Sequence, residues 1–210
     1  MYRSVYHVVR CLCMPTRERR LTPTERRLAL ERAAARLFAE RGYAATTVED
    51  IVRVAELTKP MLYRHYESKQ ELCVALLERC RSELVAAPLA ELDGERADPT
   101  TRLEAMLDAW LVHVEAHPDD ARLLFTPITG DPEVERTQTE LWERQRATQL
   151  TLLREFDAEL GDAEGAPLAE AMRSALAGVA LWWLDHPDVP RRTPLAALLR
   201  VAQGAIGTRR

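Results

Sequence analysis

LTKPMLYRHYESK, residues 57–69, has helix punctuation at both ends and fewer than ten residues between them. A helix that short is not stable in water by itself. Yet Pro60, Met61, Tyr63, Arg64 and His65 are crowded into its consecutive turns. Thr58 is placed to cap the segment, and Pro60 falls in the first turn, where a missing N–H costs little. Leu57, Leu62 and Tyr66 can hold it against the apolar faces of neighbouring helices.

Those neighbours are legible on both sides. Upstream, Thr22-Pro23-Thr24-Glu25 is a capping box with proline at the first helical position. The helix it opens runs to about Arg41, carries Leu30, Ala34, Leu37 and Phe38 on one face, and stops at Gly42. A second box reads as Thr46-Thr47-Val48-Glu49, and Val48, Ile51, Val52 and Ala55 give the stripe of a short second helix. Downstream, Ser68-Lys69-Gln70-Glu71 is a third box, opening a helix toward about Ala86. Two short helices joined by Glu56-Leu57-Thr58 form a helix-turn-helix, whose second helix can enter the DNA major groove.

The rest of the 210 residues reads as helical too. Glycine is scarce, at 8 residues, and no run alternates apolar and polar as a strand does, so the class is all-α. About nine helices are expected. Residues 88–99 read as a connector, and Leu103, Met106, Leu107, Trp110, Leu111 and Val114 as an apolar stripe. A short helix runs from Pro118 to Phe125, and 126–132 form a loop. A long helix spans about 133–160, with a glycine-containing break at 161–166. Leu168, Met172, Ala175, Leu176, Val179 and Trp183 mark the next helix. After the three-proline loop 186–194, Thr193-Pro194 caps a last helix bearing Leu195, Leu198, Leu199, Ala202 and Ile206.

Composition narrows the function. The net charge of −4 is uneven: residues 1–80 hold 15 basic and 10 acidic residues, and residues 81–210 hold 14 and 23. A net +5 segment on a −9 body suggests that one end meets a polyanion. Hydrophobic residues at 47% allow a core without disulfides, and four cysteines make no framework in a chain this long. No apolar run approaches the roughly 20 residues of a membrane helix. The N-terminus lacks a signal-peptide core and cleavage site, so a reducing, cytoplasmic setting is expected. Residues 1–13 read as an arm or as the product of an upstream start, with Met14 the alternative beginning.

The stretch RGYAATTVEDIVRVAELTKPMLYRHYESKQEL, residues 41–72, resembles the signature of the TetR family of bacterial transcriptional regulators: Gly-aromatic, Thr-Thr, Ile-Ala, Ala-Gly-Val, Leu-Tyr, Ser-Lys and Leu at their spacings. ALWWLDHPDVPR, residues 180–191, is similar to family members whose last two helices form the dimer interface. The resemblance implies an all-α homodimer with a three-helix N-terminal DNA-binding domain and a C-terminal effector and dimerisation domain. On that division residues 1–21 are a disordered arm and 22–68 the helix-turn-helix domain, with the linking helix reaching about residue 86. Residues 69–210 are the ligand-binding and dimerisation domain. One position departs: Glu56 stands where the family usually has glycine, so either the turn differs or Glu56 carries strain of about 1 kcal/mol.

The expected DNA-facing set is Thr47, Val48, Thr58, Lys59, Pro60, Met61, Tyr63, Arg64, His65 and Lys69. Tyr63 reads as a phosphate donor or as a half-buried surface tyrosine. Lys69, at a helix N-terminus, reads as a phosphate contact or as a solvated lysine. Thr47 contacts phosphate, caps its helix, or does both. Base reading falls to Lys59, Pro60, Met61 and His65, flanked by Arg64.

For an effector, Gln145 and Gln149 fall on the apolar face of the long helix, as polar groups do in a ligand pocket or at a helix seam bonded to backbone. Trp110, His113, His117, Phe125 and Trp142 are the other expected lining residues. His113 and His117 have the i, i+4 spacing of metal ligands, without a third, so no metal and no cofactor is expected. The dimer face is expected to hold Leu168, Met172, Ala175, Val179, Trp183, Leu195, Leu198, Leu199, Ala202 and Ile206. The partners expected are therefore a near-palindromic duplex, a second copy of the chain and an unidentified small molecule. No nucleophile–base pair and no phosphate loop argue for an enzyme. The competing readings are an activator or ligand-free regulator of the same fold, and a small all-α enzyme or carrier.

Overall fold

The computed structural model describes residues 21–90 and 99–206. Nine helices fill these residues: α1 Pro23–Arg41, α2 Val48–Val54, α3 Lys59–Tyr63, α4 Lys69–Ala90, α5 Pro99–Ala116, α6 Pro118–Phe125, α7 Pro132–Phe156, α8 Asp162–Leu184 and α9 Arg192–Ile206. None of them is long and apolar enough to cross a membrane. The arm expected over residues 1–21 lies, save for Leu21, outside the described residues.

The first three helices form one unit on α4. Thr22 caps α1 with both bonds of the box in place. The α2 box is displaced by one residue from the expectation. Thr47 and Asp50 form it, because the Thr46 hydroxyl turns inward and donates to Gly42 O at 2.9 Å and to Leu37 O at 3.3 Å. Thr58 stands at the N-cap of α3, but its side chain makes no capping bond. The Ser68 box is half formed. Glu71 N–H donates to Ser68 Oγ at 3.0 Å, while the Glu71 carboxylate accepts from Glu67 N–H instead of Ser68 N–H.

Four boundaries differ from the expectation; one is that α9 begins at Arg192, so Thr193 lies inside it rather than capping it. α4 runs past Ala86 to Ala90 through Pro88, because a proline in the last turn forfeits only one backbone bond. α7 ends at Phe156 rather than near 160. The 161–166 break is an N-terminus: Gly161 is the N-cap of α8. Gly165 lies inside α8, where an added Cβ would meet Leu150 Cδ1 at 2.5 Å.

α4 packs on α1 and on α5, α6 and α7, so it belongs to both halves of the molecule. One continuous core runs through both, from Leu30 and Leu62 at one end to Leu198 and Ala202 at the other. Leu153, Leu160 and Ala169 form a smaller cluster with Leu150 and Leu168. Cys73 and Cys80 are free and fully buried in the core, where burial pushes the Cys73 thiol up to about 12. A thiol so held is not a thiolate at neutral pH.

Candidate functional site

α3 answers the question of its own shortness. Leu62 is wholly buried and Tyr66 nearly so, which fixes one side of the segment. Burying Leu62 alone contributes about 2 kcal/mol. Tyr66 also donates its hydroxyl to Glu31 Oε1 at 2.5 Å. The opposite side faces solvent: Thr58, Lys59, Pro60, Tyr63 and Arg64 are exposed, with Met61 and His65 half-buried at its edges. Tyr63 is 52% exposed, a phenol on a surface rather than in a core. On α2, Thr47 is exposed and Val48 half-buried against the core. The Thr47 hydroxyl donates to Asp50 Oδ2 at 2.7 Å, and those bonds hold the Asp50 carboxyl below its usual range. Lys59 pairs with Glu49; the hydrogen bond between them raises the lysine and lowers the carboxylate. Such an exposed pair opens at little cost when a polyanion competes for the ammonium.

Lys69 has a different place from the one expected. Its ammonium donates to Tyr43 O at 2.9 Å and Thr46 O at 3.0 Å, and lies 3.9 Å above the Tyr43 ring. Two of its three protons are thus used to close the α1–α2 loop, and burial lowers its pKa. Tyr43 in turn donates its hydroxyl to Asp131 Oδ2 at 3.0 Å. Asp131 is the N-cap of α7. At Gly130, with φ +98°, an added Cβ would stand 3.0 Å from Ala44 Cβ, so this loop contact requires glycine.

Glu56 does adopt the left-handed backbone, at φ 55°. It ends α2 in a Schellman arrangement: Leu57 N–H donates to Val52 O at 2.8 Å and Glu56 N–H to Arg53 O at 3.2 Å. Glycine there relieves about 1 kcal/mol of backbone strain. Glu56→Gly is therefore expected to raise the melting temperature by roughly 2–4 °C. A thermal melt in which the glycine variant gains nothing would remove the strain argument.

A buried ionic network ties this unit to α6. The Glu31 side chain is 2% exposed and accepts from Arg27 Nε at 2.8 Å as well as from Tyr66. Arg79 Nε stands 2.8 Å from Glu31 Oε2, close enough to pair though not aligned as a hydrogen bond. The same guanidinium reaches Glu83 at 2.7 Å and Asp120 at 3.3 Å. Nothing in the residue spacing announced this cluster.

A cavity holding about 800 Å³ of empty space, its mouth included, lies among α4, α5, α7, α8 and α9. Trp110, Gln145 and Gln149 line it as expected. Four expected residues do not. Phe125 is buried in the core, 6.0 Å from Trp110. Trp142 donates its indole N–H to Leu124 O at 3.0 Å and lies under Arg173, so its ring covers the end of α6 instead. His113 is half-buried with its ring 4.6 Å from that of His117, which is exposed beside α1. Leu84, Val85, Pro88 and Leu89 of α4 and Leu152, Leu153 and Phe156 of α7 complete the walls, together with Leu103, Met106 and Leu107 of α5. Pro88 and Leu89 escaped the sequence reading because a proline there signals a connector.

Met172 and Ala202 also line this cavity, which corrects their expected place on a dimer face. Leu198 and Trp183 are likewise in the core, and the Trp183 N–H donates to Val189 O at 2.8 Å. Leu168 packs with the smaller cluster. Ala175, Val179, Leu195 and Leu199 are half-buried, while Trp182 and Val201 are 46% and 44% exposed. The Ile206 side chain lies outside the described residues.

His113 has a pKa below its ordinary value, chiefly from burial and then from the His117 charge, against the opposing pull of Glu83 and Asp120. The unfolded chain therefore binds more protons than the folded one as pH falls below about 6.5, and stability drops with it. Melting curves between about pH 7 and 5 are expected to show this decline, and His113→Gln to flatten it. An identical decline in the variant would assign it elsewhere.

Comparison with known proteins agrees with this geometry. The family described as "Bacterial regulatory proteins, tetR family" matches residues 31–76, which span α1 to the first turns of α4. The transcriptional activator FasR of Mycolicibacterium smegmatis is 37% identical over 109 residues, covering 52% of this chain and 49% of that protein. The transcriptional repressor KstR2 of Mycobacterium tuberculosis is 37% identical over 92 residues, 44% of this chain and 46% of that protein. The chain thus spans about half the length of the curated relatives it matches. A TetR-like regulator from Rhodococcus sp. RHA1 superposes with a TM-score of 0.72 at 25% identity, over 90% of this chain and all of that one. The fatty acid degradation regulator FadR from Bacillus halodurans, at 17% identity, shares the fold with a TM-score of 0.71 over 88% and 96% of the two chains. The helix-turn-helix of residues 31–76 thus matches the TetR family of bacterial transcriptional regulators, and the fold is similar to that of a TetR-like regulator over nearly the whole chain.

Proposed function

We propose that this chain is a DNA-binding repressor that grips a near-palindromic operator as a two-fold dimer and is released when a small molecule fills the cavity. The observation that carries the reading is the two-sided α3: Leu62 and Tyr66 are locked inward while Lys59, Pro60, Tyr63 and Arg64 are presented together outward. One five-residue helix reads only a few base pairs, and a dimer doubles the site. The exposed Trp182 and Val201 on α8 and α9, with half-buried Val179 and Leu195, support those helices as the dimer face.

Two helices run from the reading head to the cavity. α4 carries Lys69 at one end and Leu84 to Leu89 at the other, about 22 Å apart at Leu84. α7 carries Asp131, bonded to Tyr43, and Gln149, roughly 27 Å along. A ligand that prefers one tilt of α4 or α7 would shift the spacing of the two reading heads by its differential affinity. The activator name borne by FasR supports a second reading, activation from the same bound state.

The test is a fluorescence-anisotropy titration of the purified protein against duplex from its own upstream region, at several salt concentrations. Steeply salt-dependent binding that Lys59→Ala with Tyr63→Ala abolishes is the expected result. A double variant that remains dimeric and binds undiminished would overturn the proposal. In vitro transcription then separates the two readings, since a repressor lowers the transcript and an activator raises it.

A further inference from the structure

The cavity restricts the chemistry of what it takes. Among the described residues no charged side chain lines it, and the polar lining side chains there, apart from the Trp110 indole, are Gln145, Thr148 and Gln149. The Thr148 hydroxyl is already engaged, donating to Arg144 O at 3.0 Å and accepting from Arg81 at 3.4 Å. Gln149 is different. It is 7% exposed, and its Oε1 has no hydrogen-bond partner.

Gln138, on the same helix, shows what a structural buried amide does. Its Oε1 accepts from Ile128 N–H at 2.8 Å, and its Nε2 donates to Leu123 O at 3.2 Å and Thr126 O at 2.9 Å. A buried amide oxygen left unpaired is destabilising, and it persists where something other than the fold's own stability maintains it. Gln149 therefore has the burial of a core residue and the open valence of a binding residue.

We propose that the cavity binds an uncharged, apolar molecule bearing one hydroxyl group, which donates to Gln149. This rests on the reading of the cavity as the effector site. An ionised group would touch no countercharge among the described lining residues, the Arg81 guanidinium standing behind Thr148, and would keep little of its hydration, a cost that disfavours acids in the interior. A hydroxyl both donates and accepts, so it serves the Gln149 amide in either of its orientations. The apolar walls supply affinity through area, and the one polar contact sets orientation.

A matched pair of probes tests the charge. N-phenyl-1-naphthylamine and 8-anilino-1-naphthalenesulfonate share a ring system and differ by the sulfonate. The full-length protein is expected to bind the neutral probe saturably and the anion at least about tenfold more weakly. Displacement by 1-decanol, decyl methyl ether and decanoate, at about pH 8 where the acid is ionised, tests the hydroxyl. Decanol is expected to displace at about tenfold lower concentration than either. Gln149→Leu, with Gln149→Met as the slimmer replacement, is expected to bring the decanol-to-ether ratio close to one. Anions binding as tightly as their neutral partners would overturn the uncharged ligand, and an unchanged ratio in both variants would overturn the role of Gln149. Decanol that fills the cavity while DNA affinity stays constant supports the ligand class and overturns the ligand-released repressor instead.

Discussion

Glu31→Ala is expected to lower the melting temperature by roughly 6–12 °C, equivalent to about 3 kcal/mol. Glu31 is 1% exposed, and it is the one carboxylate that Arg27, Tyr66 and Arg79 share. Removing it leaves the Tyr66 hydroxyl unpaired in the core and leaves Arg79, whose side chain is 20% exposed, with Glu83 and Asp120 as its carboxylate partners. The penalty is that of stranding buried polar groups, which exceeds the net worth of the bonds themselves. Tyr66→Phe is expected to cost only about 1 kcal/mol, because it deletes the donor and leaves Glu31 its two arginines. Since both changes act on one bond, a double-mutant cycle is expected to show a coupling of about 1 kcal/mol. A Glu31→Ala protein within about 1 kcal/mol of the parent would mean that the cluster is not the tie between α1, α4 and α6.

Much of the fold was legible because it is local. Thr22 with Glu25, Gly42 after Arg41, and the stripe from Leu103 to Val114 act within one or two turns, and each appears where the pattern puts it. The failures fall where two local solutions were equally good or where the deciding partner is distant. Thr46 and Thr47 both suit an N-cap; the carbonyls of Leu37 and Gly42, on another element, decide between them. Lys69 has the position of a phosphate ligand, and only its carbonyl partners 26 and 23 residues earlier show that it clamps a loop.

The same limit governs the cavity. An apolar stripe records that a helix face is covered, without saying by what. Met172 and Ala202 therefore looked like interface residues when their cover is the chain's own cavity wall. Gln138, Gln145 and Gln149 are indistinguishable by spacing, and backbone partners on another segment make Gln138 structural. Glu56 is the opposite case. Its departure from glycine was visible in sequence, and the backbone at φ 55° shows that the turn kept its shape and the residue took the strain.

Tyr63→Phe and Arg64→Ala are expected to weaken operator binding in distinguishable ways. Both residues lie exposed at the end of α3, and neither is part of the core. In the proposed dimeric complex Tyr63→Phe removes one uncharged donor to phosphate from each half-site, about 1 kcal/mol each at an exposed position. A dimer loses both, so the dissociation constant is expected to rise about 30-fold with the salt slope unchanged. Arg64→Ala removes one cation per half-site. Its loss is expected to be comparable at low salt and to shrink as salt rises, because the slope of log K against log salt falls by roughly 2. The two effects exchange rank across a salt series, and this crossing separates phosphate contact from general disruption of α3. Disruption would lower affinity at all salt concentrations alike and would register in the melting temperature, which a surface phenylalanine leaves within about 0.5 kcal/mol of the parent. A Tyr63→Phe protein with parental affinity would show that the phenol, though exposed, does not touch DNA.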